Sequence, residues 1–186
     1  MPMLVDRLPK RVQRKRLARA LKPRSQIPTI RVGKEYGGWV IPKDFVTPDS
    51  VVYSAGVGED VSFDLELIAL TGCHVWAFDP TPRAIDFARK IDYERFHFLP
   101  VGISSRDEMR RFYAPADPTH VSHSIVSTAG ERDCFDAECK TIATLKRELG
   151  HDKVDLLKLD IEGAEYEVLP SIDQAPSCIC VELHPI

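Results

Sequence analysis

Apolar and polar positions change period along this chain, and the changes mark its elements. Val51 to Ala55 is a short, continuous apolar run. That pattern predicts a strand buried on both faces. From Val61 to Leu70, Val61, Leu65 and Ile68 recur at helical spacing. The same stretch alternates (Val61, Phe63, Leu65, Leu67), so its length and the closing Thr71-Gly72 decide for helix. Cys73 to Phe78 is a second strand. Thr81-Pro82 then offers a cap and a proline at the first helical position, ahead of Ile85, Ala88 and Ile91. Phe96 to Val101 predicts a third strand and Met109 to Tyr113 a short extra one. Thr141 opens a helix carrying Ile142, Leu145 and Leu149, ended by Gly150. Val154 to Leu159 is a fourth strand, Glu162 to Leu169 a helix, and Ser177 to Leu183 a fifth strand. Upstream, Ile30 to Val32 and Trp39 to Ile41, around Gly33 and Gly37-Gly38, predict a hairpin or two extended pieces. Ala114 to Ala137 holds two prolines and one glycine, shows no clear period, and predicts a long loop of the kind that is functional or mobile.

Strands alternating with helices, most of them apolar throughout, predict an α/β fold: a Rossmann-like, doubly wound, mainly parallel sheet. The 186 residues suffice for one domain with a sizeable core. Hydrophobic residues make up 44% and charged ones 28%, as in a soluble protein, and no apolar run is long enough for a membrane span. The five cysteines lack CxxC spacing, which argues against a disulfide framework or a zinc site and predicts a reducing, cytoplasmic setting. Charge changes the picture at one end. Arg7 to Arg24 holds nine Lys or Arg and no acid; with the whole chain at −3, the rest carries a net −12. Residues 1–28 are therefore read as a basic extension and 29–186 as the domain. The arm is a candidate for contact with an anionic surface, while the acidic body argues against a nucleic-acid groove.

Open parallel sheets bind ligands beyond the carboxyl ends of their strands. Gly56-Val57-Gly58 stands at such an end. Glycines there admit a ligand to the backbone, and the next helix offers free N–H groups. Asp79 ends the second strand 23 residues after Gly56. An acid at that place suits the hydroxyls of an adenosine ribose. A dinucleotide fingerprint would need a third glycine where Val61 stands. The pattern favours an adenosine cofactor without a pyrophosphate, S-adenosylmethionine, over NAD.

The run KLDIEGAE, Lys158 to Glu165, resembles the signature of the FkbM-type methyltransferases. VVYSAGVGEDVSFD (Val51 to Asp64), the stretch from Thr141 to Leu169, and VELH (Val181 to His184) resemble the same family, so the likeness covers roughly residues 36–186. It implies a class I S-adenosylmethionine-dependent methyltransferase, commonly acting on a hydroxyl of a sugar or other small natural product. The cofactor-binding candidates are Ser54, Gly56, Gly58, Asp60, Asp79 and Gly102. Two features depart from the pattern. Many class I enzymes carry, two residues before the first glycine, an acid that meets the cofactor's amino group; this chain has Ser54, and Glu59 or Asp60 is a possible substitute. The usual sheet has seven strands, and this sequence predicts five, as a shortened or truncated member would.

Lys158 lies within the fourth strand, where a buried charge needs a partner; Glu182 on the fifth strand is the expected one. Asp160 and Glu162 follow the strand end, and His184 follows the fifth strand. These three are the catalytic candidates, with Asp160 nearest the reacting hydroxyl as general base. With Glu182 they also offer oxygen and nitrogen ligands to a divalent ion, although no metal is assigned. Glu165 is expected to be a solvated helix residue. His120, His123 and Ser124, in the long loop, are candidates for the acceptor pocket. Two other readings compete: an NAD-type oxidoreductase, and a non-catalytic or degenerate domain that binds the cofactor weakly or serves assembly.

Overall fold

The computed structural model of the chain describes residues 26–113 and 134–184. Residues 1–25 of the basic arm, and His120, His123 and Ser124, lie outside them. A hairpin leads, β1 (Thr29–Val32) antiparallel to β2 (Trp39–Pro42). There follow β3 (Val51–Ala55), α1 (Ser62–Thr71), β4 (His74–Phe78), α2 (Pro82–Ala88) and β5 (Phe96–Leu99). Next come β6 (Gly102–Ile103), β7 (Glu108–Tyr113), β8 (Cys134–Lys140) and α3 (Ile142–Leu149). The chain continues through β9 (Leu156–Leu159), α4 (Glu165–Ser171) and β10 (Cys178–Val181). Five of these strands form a parallel sheet in the order β10-β9-β3-β4-β5, the predicted α/β architecture.

The apolar runs are continuous because both faces of the sheet are covered. Val52, Val75 and Leu156 pack on one side with Phe63, Leu67 and Ile68 of α1 and with Val32 and Ile41 of the hairpin. Tyr53, Phe78, Leu157 and Leu159 face the other way, against Ile142 and Leu145 of α3 and Val168 of α4. The predicted stops hold. Thr81 caps α2 by accepting from the Ala84 N–H at 3.4 Å, and Pro82 takes the first turn. Gly72 and Gly150 end α1 and α3 in the left-handed region.

Two boundaries need correction. The loop expected over Ala114 to Ala137 ends early, because Cys134–Lys140 is a strand. It pairs antiparallel with β7 and, at its far end, parallel with β6, forming a small second sheet with Phe112 stacked on Phe135 at 5.3 Å. The last helix starts at Glu165 rather than Glu162, since Glu162 (φ 53°) and Gly163 (φ 101°) occupy the left-handed region and cannot begin a helix.

Chain order runs outward from β3 to β5 and then returns across β3 to β9. The sheet therefore has its switch point between β3 and β9, where open α/β sheets place a crevice.

Candidate functional site

A cavity of about 730 Å³ opens at that switch point, within the roughly 300–1,000 Å³ range of small-molecule sites. Its lining comes from the strand ends: Gly56 to Asp60 after β3, Asp79 to Thr81 after β4, Asp160 to Glu162 after β9 and Glu182 after β10. Tyr36 to Trp39 of the hairpin cover one side, and Arg110 and Phe112 of β7 wall another. The hairpin is tied down by the Gly33 N–H donating to Glu66 Oε2 at 2.7 Å and the Lys34 N–H donating to Ser62 Oγ at 3.1 Å.

The two glycines of the opening turn differ in what they serve. Gly56 (φ 72°) presses on the β9 end: a Cβ there would stand 1.7 Å from the Asp160 carbonyl oxygen. Packing alone therefore demands glycine at 56. Gly58 (φ 51°) has nothing within 4 Å of a built Cβ, leaving open space where a ligand can meet the backbone. Gly102 also lines the cavity, but Cys139 Sγ would lie 2.6 Å from its Cβ, so packing explains it.

Asp79 is 5% exposed and braces the turn. Its Oδ2 accepts from the Gly58 N–H at 2.9 Å, and its Oδ1 accepts from the Thr81 N–H at 2.9 Å and the Thr81 hydroxyl at 2.6 Å. A carboxylate offers about four lone-pair sites, so capacity for a ribose hydroxyl remains on Oδ2. Asp60 caps α1, its Oδ1 accepting from the Ser62 N–H at 2.8 Å. Glu59 pairs with Arg83 at 3.0 Å.

Lys158 does not pair with Glu182. Its ammonium, 5% exposed, donates to the carbonyls of Gly56 at 2.8 Å and Ala55 at 3.2 Å and sits 5.6 Å over the Trp39 ring. The reason is register. Lys158 lies opposite Ser54 on β3 and Cys180 on β10, two residues short of Glu182, while the turn at Gly56 brings carbonyls over the strand end. Glu182 is exposed. Near Lys158, Ser54 Oγ and Asp64 Oδ1 are buried without a hydrogen-bond partner. Burial pushes the Asp64 carboxyl above its usual range, against the pull of Lys158.

The three predicted catalytic residues come together. His184 Nε2 lies 3.6 Å from Asp160 Oδ1 and 3.7 Å from Glu162 Oε2. Behind them stands Glu165, which is fully buried rather than solvated. It accepts from the Ile161 N–H at 2.9 Å and the Gly163 N–H at 2.8 Å, and His184 Nδ1 donates to it at 3.0 Å. That contact fixes the imidazole with Nε2 toward the two carboxylates. Burial opposes charge on His184, but the Glu165 hydrogen bond and the charges of Glu162, Glu165 and Asp160 outweigh it and raise its pKa. Burial raises the pKa of Asp160, with Lys158 and His184 pulling against it and Glu182 and Glu162 adding to it. A carboxylate made more basic, beside an imidazole able to hold positive charge, can accept a proton from a hydroxyl at the cavity rim. Asp160, Glu162 and His184 also bring ligand atoms within 4.8 Å of one another, a donor set a divalent ion could use.

A cavity of this size, an acid at the β4 end, a bare glycine at the β3 end and buried oxygens without partners on β3 (Ser54) and α1 (Asp64) fit the adenosine-bearing sulfonium cofactor that the sequence resemblance implies. Sequence reasoning missed Trp39, Asp64 and Arg110 as lining residues. The helical face of α1, on which Asp64 sits among Phe63, Leu67 and Ile68, held a signal for Asp64. All five cysteines are free thiols, and among the described residues no helix is long and apolar enough to cross a membrane.

Comparison with known proteins points to one family. Residues 45–186 match the model of the methyltransferase FkbM domain. The chain is 28% identical over 122 residues to the human "Probable methyltransferase-like protein 24", covering 65% of this chain and 27% of that protein. The Rattus norvegicus protein of the same name is 29% identical over 122 residues, covering 65% and 28%. The chain thus spans little more than a quarter of the length of these curated relatives. A crystal structure of the methyltransferase FkbM from Methylobacillus flagellatus KT aligns with a TM-score of 0.45 at 14% identity, covering 68% of this chain and 29% of that one.

Proposed function

Since the chain belongs to the FkbM methyltransferase domain family, we propose that it transfers a methyl group from S-adenosylmethionine to a hydroxyl of a small acceptor, a sugar or another natural product. The observation that carries the reading is convergence: Gly58, Asp79 and Asp160, from three strand ends, line one cavity at the switch point of the sheet. The bound cofactor supplies an electrophilic methyl on sulfur. The chain's own residues do the rest. Asp79 holds the ribose hydroxyls and keeps the Gly58 turn in place. Gly56, Asp60 and Gly102 line the remaining wall, and Ser54 is buried on β3 outside that lining. With Asp79 past β4 holding the ribose, the residues past β3 and β9 would hold the methionine end.

Asp160 stands where the acceptor hydroxyl would approach, and it takes the hydroxyl proton. His184, held by Glu165, lies 3.6 Å from Asp160 and keeps that carboxylate oriented. Glu162 binds along the same rim. In-line displacement requires acceptor oxygen, methyl carbon and sulfur to align, so positioning supplies much of the rate. Five free thiols support work in a reducing compartment such as the cytoplasm. Methyl-labelled S-adenosylmethionine, incubated with the chain and a small-molecule extract, should pass label to a hydroxyl compound, and the Asp160→Asn variant should not pass it. Cofactor binding with no transfer to any fraction would support a non-catalytic binding domain instead.

A further inference from the structure

We propose that Asp64, from within α1, takes the α-ammonium of the bound cofactor; this rests on the methyltransferase reading above. Asp64 occupies a core position of its helix, beside Phe63, Leu67 and Ile68, and is 1% exposed. It nevertheless lines the cavity. Its Oδ1 has no hydrogen-bond partner, nor has the neighbouring buried Ser54 Oγ. Lys158 pulls on the Asp64 carboxyl from nearby, but its ammonium donates to the Ala55 and Gly56 carbonyls, and a buried carboxyl oxygen left without a donor is costly to keep. Replacement by an apolar residue would relieve that cost, so the charge calls for a compensating donor from a ligand.

The cofactor offers several donors: the adenine amino group, the ribose hydroxyls and the α-ammonium. Only the last brings hydrogen-bond donors together with a positive charge, the pairing a carboxylate binds most strongly. Position agrees. Asp79, just past β4, would hold the adenosine end, so the tail falls over β3 and β9, where Ser54 and Lys158 stand opposite one another. The acids nearer the glycine turn are already engaged: Glu59 with Arg83 and Asp60 with the Ser62 N–H. Ser54, where the strand end might have carried an acid, brings only a hydroxyl. The carboxylate instead comes from the first turn of α1, ten residues further along the chain.

The test compares S-adenosylhomocysteine, which has the amino-acid tail, with 5′-methylthioadenosine, which lacks it, by isothermal titration of the wild-type chain and Asp64→Asn. Loss of a charged hydrogen-bond partner should weaken S-adenosylhomocysteine about tenfold to a hundredfold. Methylthioadenosine should bind both proteins alike. Equal losses for both ligands, or no loss for either, overturn the assignment. If the wild-type chain binds methylthioadenosine but gains nothing from the tail, this proposal falls while the cofactor reading stands. If it binds neither, both fall. Should Asp64→Asn fail to fold, a crystal structure of the wild-type chain with S-adenosylhomocysteine decides. The amino nitrogen within about 3.2 Å of the Asp64 carboxylate supports the assignment, and the nitrogen on Asp60 or Glu59 overturns it.

Discussion

Replacing Lys158 by methionine tests how the β3–β9 seam is held. Methionine keeps the length and apolar stem of the side chain and removes its ammonium. Two hydrogen bonds disappear, to the Gly56 carbonyl at 2.8 Å and the Ala55 carbonyl at 3.2 Å. Hydrogen bonds from charged groups are each worth about 1.5–3 kcal/mol, so the lower bound for two is about 3 kcal/mol. Asp64 loses its opposing cation in the same step, which adds to the cost. At roughly 2–4 °C per kcal/mol for a chain of this size, Lys158→Met should lower the melting temperature by about 6–12 °C. Urea denaturation of the single and double variants apportions the loss. Lys158→Met with Asp64→Asn should recover part of it, because no buried carboxylate is left uncompensated. Lys158→Met with Glu182→Leu should recover nothing, because Glu182 is exposed and takes no part. A loss under about 0.5 kcal/mol, the level of an ordinary surface substitution, would refute the reasoning, as would recovery through Glu182→Leu alone.

Three further predictions concern the site. Gly56→Ala should prevent stable folding, since its Cβ would meet the Asp160 carbonyl, whereas Gly58→Ala should cost about 1–2 kcal/mol of left-handed strain, stay folded, and bind S-adenosylhomocysteine more weakly; circular dichroism and titration calorimetry separate the two. Asp160→Asn should leave S-adenosylhomocysteine affinity nearly intact and lower turnover by about 10²–10⁴; if turnover instead survives there and collapses in His184→Ala, the base is misassigned. Imidazole titration by NMR should place His184 above the ordinary histidine value and His97 and His151, depressed first by burial, below it. By linkage, the stability that the His184 contacts contribute is full below pH 6.5 and fades as pH rises through its folded pKa. That of His97 and His151 is full above 6.5 and is lost as pH falls through theirs, so His184→Gln and His97→Gln should give pH–stability differences of opposite slope.

The sheet was legible because a parallel strand covered on both faces has little choice but to be apolar: Val51–Ala55 and Leu156–Leu159 announce themselves. Helix ends were legible through Thr81, Thr141, Gly72 and Gly150, whose cap chemistry is local. β8 was not, because CFDAECK puts Asp136, Glu138 and Lys140 on its wet face, and the alternation of Phe135, Ala137 and Cys139 is short beside the polar stretch before it. The rim of Asp160, Glu162 and His184 could be read from strand order, since residues just past neighbouring parallel strands must meet. The partner of Lys158 could not, because it is a pair of backbone carbonyls set by the bend at Gly56. Glu165 looked solvated because a short charged helix start usually is. Its burial follows from the left-handed residues Glu162 and Gly163, which turn the loop back over its carboxylate.

The central claim, a sulfonium-cofactor site between β3, β4 and β9, is tested most directly by isothermal titration of the chain with S-adenosylhomocysteine and, separately, with NAD. The account predicts one S-adenosylhomocysteine per chain, competed by S-adenosylmethionine and weakened in Asp79→Ala by about tenfold or more, and no heat from NAD. Tight NAD binding, or S-adenosylhomocysteine binding unchanged in Asp79→Ala, would contradict it.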